Sequence, residues 1–475
     1  MSKTRRGFLC SAGSLACALA QPARRVPNIV LIVADDLGAM DTTPYGADLH
    51  ETPNLQRLAA QGIRFTEAHA AAPVCTPTRA SIQTGKYPAR LNMTIWHEAS
   101  RNPPRNRKLI PPLTLAELPH SEVTLAELLR ERGYMTAHVG KWHLGTASHY
   151  PETQGFDINI GGTFWGAPQT FFFPYRGNQR FGGEYRYVPH LEFGEPGEYL
   201  TDRLTTEALK VIDHAGARPF FLNLWCHNPH TPIEGKPELV ERYRAKLKPG
   251  LRHRNATYAA MVHSLDENIG RVLAKLDERG LARDTVVLFT SDNGGYIGRF
   301  NGDQVTTNEP LRSGKGSLYQ GGIRVPLIVR WPGVTPAGAV CDEPVISNDF
   351  FPTIAAITGA KDHGGHDGLS LMPLLDKSAS RLPREELYFH YPHYYETTSP
   401  VSAVRERNWK LIEYFEDQRA ELYDLGADPG ESRELSGRHP DIAKRLRESL
   451  HQWRKSVSAQ IPATNPDYRP STAPK

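Results

Sequence analysis

Cysteine is scarce in this 475-residue sequence: there are 5, and only Cys75, Cys226 and Cys341 lie beyond the first twenty positions. Thiols that few and that far apart make neither a disulfide framework nor a structural zinc site, so each has to be judged by its surroundings. Charge of one sign is missing as well. The 56 Lys and Arg nearly balance the 52 Asp and Glu, and the net charge of +4 is spread along the chain, which leaves no electrostatic footprint for nucleic acid or an acidic membrane surface. Past residue 20 no apolar run approaches the ~18 residues that span a bilayer, so a mature chain without a membrane span, and soluble, is expected. Repeats and low-complexity tracts are absent too. What remains is an ordinary globular composition, 39% hydrophobic, long enough to bury a large core and form one big domain with a smaller one beside it.

The first twenty residues differ in kind. Arg5 and Arg6 precede an apolar, small-residue stretch from Phe8 to Ala20 that ends in Ala18-Leu19-Ala20, the make-up of an export signal. The arginine pair followed by Gly7, Phe8 and Leu9 resembles a twin-arginine signal, which implies bacterial export of an already folded protein to the periplasm or outside the cell. A lipid anchor on Cys17 fits less well, because Ser14-Leu15-Ala16 departs from the leucine usual at the first of those positions. The expected organisation is an export signal over 1–20, a catalytic domain over 21–383 and a small-sheet subdomain with a tail over 384–475.

Residues 28–34 (NIVLIVA) form a short continuous apolar run between Pro27 and Asp35, the pattern of a strand buried on both faces. A helix is predicted next, with Thr52 as its cap, Pro53 in its first position, Leu55 and Leu58 on its apolar face and Gly62 at its end. The same grammar returns where Thr124 and Glu127 make a capping box and Gly133 closes the helix. Further strands are predicted over 135–139, 220–225, 286–290 and 325–331, separated by helical patterns such as 199–214 and 258–279. This alternation predicts an α/β fold: a large mixed, mostly parallel sheet sandwiched by helices. From about residue 384, short alternating segments at 386–390, 401–405, 409–414 and 421–425 predict a small antiparallel sheet, with a last amphipathic helix near 442–457 packed on it.

Polar residues gather just past the predicted strand ends: Asp35 and Asp36, Lys141 and His143, His227 and His230, Asp292 and Asn293. In open parallel sheets that carboxyl edge is where ligands bind. Asp35-Asp36 and Asp292-Asn293 offer hard oxygen ligands from two loops, which suits calcium or magnesium better than a soft metal; either pair alone is equally a turn or cap. Cys75-Thr76-Pro77-Thr78-Arg79 places a lone cysteine in a loop leading to a helix predicted at Ala80. A helix N-terminus and a nearby arginine would lower a thiol pKa and bind an anion, so the residues by themselves allow a thiolate nucleophile or a buried structural cysteine.

The segment CTPTRASIQTGKYP at 75–88 resembles the sulfatase signature: Cys or Ser, any residue, Pro, any residue, Arg, followed by a Thr-Gly pair. A second sulfatase signature is matched at Gly140-Lys141-Trp142-His143-Leu144-Gly145. Further matches are the opening NIVLIVADDLG, Asn228-Pro229-His230-Thr231-Pro232, Ser291-Asp292-Asn293-Gly294, and Gly314-Lys315-Gly316 before Gly321-Gly322-Ile323-Arg324-Val325-Pro326. They run in family order from about residue 27 to 332. The resemblance implies the alkaline phosphatase-like sulfatase fold and a sulfuric ester hydrolase. It also implies Cys75 oxidised to formylglycine by a formylglycine-generating enzyme, and one Ca2+ held by Asp35, Asp36, Asp292, Asn293 and the modified side chain at 75. Carried over position by position, it makes Arg79 a partner of the formylglycine, Lys141, His230 and Lys315 contacts of the sulfate and leaving oxygens, and His143 the base of the second half-reaction. Cys226 and His227 flank the site, match no catalytic position and are assigned to packing or to support behind the residues that touch the substrate. Relatives often carry a serine in the loop after the second signature, where Gly161-Gly162-Thr163-Phe164-Trp165-Gly166 offers Thr163 instead.

Trp96-His97-Glu98 and the stretch 164–175, with Trp165 and three consecutive phenylalanines, flank the motif loops and would either wall a sugar ring or pack the loop into the core. With Arg312 ahead of Gly314-Lys315, the pattern resembles bacterial polysaccharide sulfatases. It implies a sulfated carbohydrate substrate, a galactose or N-acetylgalactosamine unit first, with Trp96, His97, Trp165 and Arg312 as candidate contacts. Two alternatives stand beside it: a phosphoester hydrolase of the same superfamily, which often has His where this chain has Asn293, and a catalytically silent carbohydrate-binding protein with Cys75 unmodified.

Overall fold

The computed structural model describes residues 26–470, and the export signal expected over 1–20 lies outside them. The apolar run is the strand Asn28–Ala34 in the middle of an eight-stranded sheet. Period-two alternation divides its side chains between two cores. Val30, Ile32 and Ala34 pack against the helices Pro53–Gln61, Leu200–Ala215 and Ala256–Glu278, while Ile29, Leu31 and Val33 face Leu125–Glu131 and Phe350–Thr358. Both faces are therefore covered, as continuous hydrophobicity requires.

The strand order is Ala339–Cys341, Ile63–Phe65, Leu327–Arg330, Thr285–Ser291, Asn28–Ala34, Phe220–Trp225, Met135–Gly140, Ile158–Ile160. All neighbours are parallel except Leu327–Arg330, which runs antiparallel to both of its partners. The sheet is thus mixed and mostly parallel. Ile63–Phe65, Ile158–Ile160 and Ala339–Cys341 are too short to stand out in the sequence.

Two local expectations are corrected. Thr52 does not cap the helix Pro53–Gln61; its hydroxyl accepts from Thr43 N at 2.8 Å. The orphan amides of Asn54 and Leu55 donate instead to the Asp266 carboxylate, at 3.0 and 2.8 Å, from the helix Ala256–Glu278. A distant acid does the work of a cap. The helix predicted at Ala80 begins at Cys75 itself and runs Cys75–Thr84 after an extended Val74. Pro77 is tolerated because first-turn N–H groups have no intrahelical acceptor to lose. At Thr124 the capping box forms as read, with Glu127 N donating to Thr124 Oγ1 at 3.2 Å and Thr124 N to Glu127 Oε2 at 2.8 Å.

The strands Glu386–Tyr391, Val401–Glu406, Trp409–Tyr414 and Ala420–Asp424 make an antiparallel sheet in chain order. The helix Pro440–Ser456 lays Leu446, Leu450 and Trp453 on it, in a core that also takes Val74, Leu318 and Tyr319. The small sheet therefore buttresses the two segments that carry Cys75 and Lys315. Among the described residues no helix is long and apolar enough to cross a membrane.

Candidate active site

The carboxyl ends of four adjacent strands deliver Asp35-Asp36, Lys141, His227 to His230, and Asp292-Asn293 to one place, and the fit is tight enough to dictate backbone. Gly140 sits at φ 105°, where an added Cβ would run into the Trp225 carbonyl oxygen. Asp36 and His143 occupy the left-handed region at φ 62° and 61°, a conformation that non-glycine residues keep only when surrounding contacts hold them there. For Asp36 those contacts are its own N–H, donating to Asp292 Oδ1 at 3.1 Å, and Asn293 Nδ2, donating to Asp36 Oδ1 at 2.9 Å.

The floor is a lattice of buried opposite charges. Lys141 Nζ donates to both oxygens of Asp35 at 3.0 and 2.8 Å. Arg79 Nε donates to Asp292 Oδ2 at 2.9 Å, its Nη2 stands 3.6 Å from Asp35 Oδ1, and its guanidinium lies 5.0 Å from the Trp225 ring centre. Lys315 Nζ donates to Asp36 Oδ2 at 2.7 Å and faces His230 Nε2 at 3.2 Å. Three carboxylates meet three cations, and the balance is uneven: burial works against charge on Asp36, but Lys315, His230 and Lys141 outweigh it and hold that carboxyl well below the usual range. Burial pushes the Asp292 carboxyl up despite the pull of Arg79, with Asp35 and Asp36 adding to the rise. Asn293 Oδ1, fully buried, has no hydrogen-bond partner among the described residues. Three carboxylates and an orphaned amide oxygen are the hard, oxygen-only donor set that suits Ca2+.

Beside this floor, Cys75 Sγ is 3.4 Å from His143 Nδ1 at the first turn of its helix. Burial raises the thiol pKa, but Lys141 and His143 outweigh it and hold it at about 7. For Cys226, burial prevails and pushes it to about 12. Burial opposes charge on His143, and Cys75 and Glu98 overcome it, so its pKa is raised. Glu98 Oε2 lies 3.8 Å from His143 Nε2; burial works to raise that carboxyl, and His143 brings it down to about 2. Glu98 was read from the sequence only as part of an aromatic segment, and its place behind His143 is new. His230 is kept neutral: burial and the neighbouring lysines win over Asp36 and lower its pKa to about 3. Its Nδ1 is 2.7 Å from the Thr231 carbonyl, which can only accept, so Nε2 carries the lone pair that faces Lys315.

These groups line a cavity of about 590 Å³ with Asp36, Cys75, His143, His230 and Lys315 at its base. Trp96 forms part of the wall, edge-on to Tyr395 at 6.1 Å. The other candidate contacts are not on that wall. His97 faces a small cleft shared with His143 and Phe164, and Trp165 is buried against Phe164 and Tyr187, centroids 4.7 and 4.8 Å away. Arg312 turns to the small sheet, where Nη1 donates to Tyr423 Oη and the Glu431 carbonyl at 3.0 and 2.9 Å. Thr163 uses its carbonyl to accept from His143 N and its hydroxyl to accept from Trp165 N, at 2.8 and 3.2 Å, and it does not line the cavity. Of the phenylalanine run, Phe171 is core and Phe172 and Phe173 pack against it. Sequence reading missed Arg180, Arg186, Tyr296, Arg299 and Tyr395, all on the wall; they sit in loops or, for Arg299, in a two-residue strand, with no motif to flag them.

Comparison with known proteins agrees with this geometry. Residues 27–360 match the Sulfatase family, and residues 314–456 match the family N-sulphoglucosamine sulphohydrolase, C-terminal. Steryl-sulfatase of Mus musculus is 34% identical, over 91% of this chain and 82% of its own. A sulfatase of Formosa agariphila is 32% identical, over 91% and 89%. The crystal structure of Ps i-CgsB in complex with k-i-k-neocarrahexaose superimposes with a TM-score of 0.76 at 30% identity, covering 90% of this chain and 93% of that one. The chain belongs to the sulfatase family. It is a sulfuric ester hydrolase of mixed α/β architecture.

Proposed function

We propose that this sulfatase removes O-sulfate from a sugar of a sulfated polysaccharide, galactose or N-acetylgalactosamine first, using a formylglycine made from Cys75 and one Ca2+. The observation that carries the reading is the buried floor itself: Cys75 stands at a helix start 3.4 Å from His143, beside an acid cluster that includes the orphaned Asn293 oxygen. Asp35, Asp36, Asp292 and Asn293, with the side chain at 75, would hold the calcium, which supplies positive charge against the sulfuryl oxygens. Formylglycine supplies the nucleophilic hydroxyl of an aldehyde hydrate.

The chain's own residues do the rest. Arg79 and Lys141 fix Asp35 and Asp292, so that charge on the transferring group meets cations already in place, a contribution of ~3 kcal/mol for each lost contact. Neutral His230 accepts from Lys315 and holds that ammonium toward the cavity, which makes Lys315 the proton donor to the departing sugar oxygen. His143, backed by Glu98, is placed to take the proton from position 75 in the second half-reaction. A carbohydrate suits the wall, which carries Glu98, Arg180, Arg186 and Arg299 beside Trp96, Tyr296 and Tyr395, in place of the apolar slot that a sterol would need. One relative in the same fold was crystallised with an oligosaccharide. The start of the chain is read as an export signal, which would put the enzyme where polysaccharide is met.

The test is peptide mass spectrometry across Cys75 on protein from its natural host, with sulfate release measured from 4-nitrophenyl sulfate and a panel of sulfated sugars. The aldehyde mass at position 75 together with calcium-dependent release is expected. Unmodified thiol in active protein would sink the formylglycine reading.

A further inference from the structure

The cavity wall carries positive charge that the floor chemistry does not use. Arg180 and Arg186 stand on one loop and Arg299 on the hairpin formed by Arg299–Phe300 and Asp303–Gln304, and all three line the cavity that holds Cys75 and Lys315. Each guanidinium is pinned. Arg186, 8% exposed, lies 3.7 Å from the Phe181 ring centre, with Nε 2.8 Å from Glu184 Oε2 and Nη1 donating to the Ala167 carbonyl at 3.2 Å. Its Nη2 makes no hydrogen bond among the described residues. Arg180 pairs with Glu234 at 2.6 Å and lies 5.9 Å from the Phe300 ring centre, which ties the loop to the hairpin and makes one rim of them. Arg299 donates to the Gly302 carbonyl at 2.7 Å and has no ion pair among the described residues.

A solvated surface arginine spends entropy when it grips an anion; these have part of the fork fixed beforehand and part still open. Among the described residues the acids lining the cavity are Asp36, held by Lys315, and Glu98, engaged by His143. Glu234 neutralises Arg180 and that residue serves the rim chiefly as scaffold, whereas Glu184 holds Arg186 through Nε alone and leaves its Nη2 edge open. Arg186 and Arg299 are left as the groups that can receive a ligand.

We propose that this rim is a second anion subsite. Arg186 and Arg299 take a sulfate or carboxylate on the sugar next to the one being desulfated, and the substrate is therefore a polyanionic saccharide segment, not an isolated sulfate ester. The proposal rests on the reading of the floor as a carbohydrate-sulfatase site and adds what the neighbouring sugar must carry.

The experiment uses the full chain with the aldehyde at position 75 verified. Hydrolysis of 4-nitrophenyl sulfate, which has no second anion, serves as reporter, with kappa- and iota-carrageenan and heparin tetrasaccharides as competitors at stepped NaCl. Binding of the same tetrasaccharides is followed in parallel by calorimetry. Wild type should bind the more highly sulfated competitors more tightly and with the steeper salt dependence. Arg299→Gln, an exposed position held by one hydrogen bond, should weaken them about tenfold and flatten the salt dependence, so that discrimination against the less sulfated competitor collapses. Arg186→Lys, which keeps the charge and removes the fork, should fall between. The subsite is overturned if affinity does not rise with sulfation, or if Arg299→Gln weakens all competitors and the aryl sulfate alike. Failure of the floor reading looks different: no sulfate is released from anything, while calorimetry on the same protein still reports the rim.

Discussion

Two regions of this molecule bury full charges, and they do it differently. Under the small sheet, Lys410 and Glu431 are both wholly inaccessible, with Nζ donating to Glu431 Oε1 at 2.7 Å and to the Leu318 carbonyl at 2.5 Å, and Gln320 N donating to Glu431 Oε2 at 2.6 Å. Burial has moved both groups toward neutrality, lowering the Lys410 pKa and raising that of Glu431, but every charged end is matched. In the floor of the site, Asn293 Oδ1 is buried without a hydrogen-bond partner among the described residues. A saturated pair is a cross-link that apolar side chains could replace. A cluster with an oxygen left over is built for something that arrives later.

The largest effect should come from the centre of the unsaturated cluster. Cys75→Ala is expected to abolish sulfate release, a loss of at least about 10³-fold, while thermal unfolding stays close to wild type because only a thiol leaves the first turn of a packed helix. Lys315→Ala should lower kcat/KM by about 10²- to 10³-fold, since it removes the group that faces both Asp36 and His230. Activity near wild type in either variant would remove that residue from the chemistry.

The saturated pair should respond in the opposite sense. Lys410→Met leaves Glu431 buried and alone and should cost ~3–5 kcal/mol in denaturant unfolding, with the remaining folded protein as active as before. Adding Glu431→Leu should return most of that stability. No second substitution should rescue Lys315→Ala in the same way, and a rescue by Asp36→Leu would erase the distinction between the two regions. Calcium sharpens it further. Calcium at a hundredfold excess over its Kd should stabilise wild type by ~2.7 kcal/mol relative to chelator-treated protein, and Asn293→Ala should shrink that gain while Lys410→Met leaves it intact. Equal melting temperatures with calcium and with chelator would end the reading of the orphaned oxygen.

How much of this could be read beforehand depended on whether the cause was local. The strands at Asn28–Ala34, Phe220–Trp225 and Thr285–Ser291 were legible because burial on both faces leaves a mostly apolar run, interrupted inside by Asn223 and Thr290. Once those ends are placed, topology brings Asp35, Lys141, His230 and Asp292 together without further information. Where a partner came from far along the chain, local reading failed. Asp266 caps a helix more than two hundred positions earlier, and Tyr423 and Glu431 claim Arg312 from the small sheet. Trp165 looked like a sugar platform because nothing local shows that Phe164 and Tyr187 enclose it. The rim arginines were invisible for another reason: irregular loops and a two-residue hairpin strand have no readable period, so a cation there reads as solvated surface until the fold shows which way it faces.

The smallest effect is also the most direct reading of the floor. In protein made without maturation, two buried thiols share one domain with opposite fates: burial alone sends Cys226 to about 12, while Lys141 and His143 overcome the same burial at Cys75 and hold it at about 7. A group whose pKa is lowered is ionised above the shifted value, so absorbance at 240 nm should show one thiolate forming near neutral pH. That step should vanish in Cys75→Ala. Lys141→Met should move it upward, because the ammonium that Asp35 anchors is the strongest charge favouring the thiolate. Cys226 should stay protonated through pH 9. If the early step survives in Cys75→Ala, the positive field is not centred on position 75, and the contrast between a field that awaits an anion and a pair that has one fails with it.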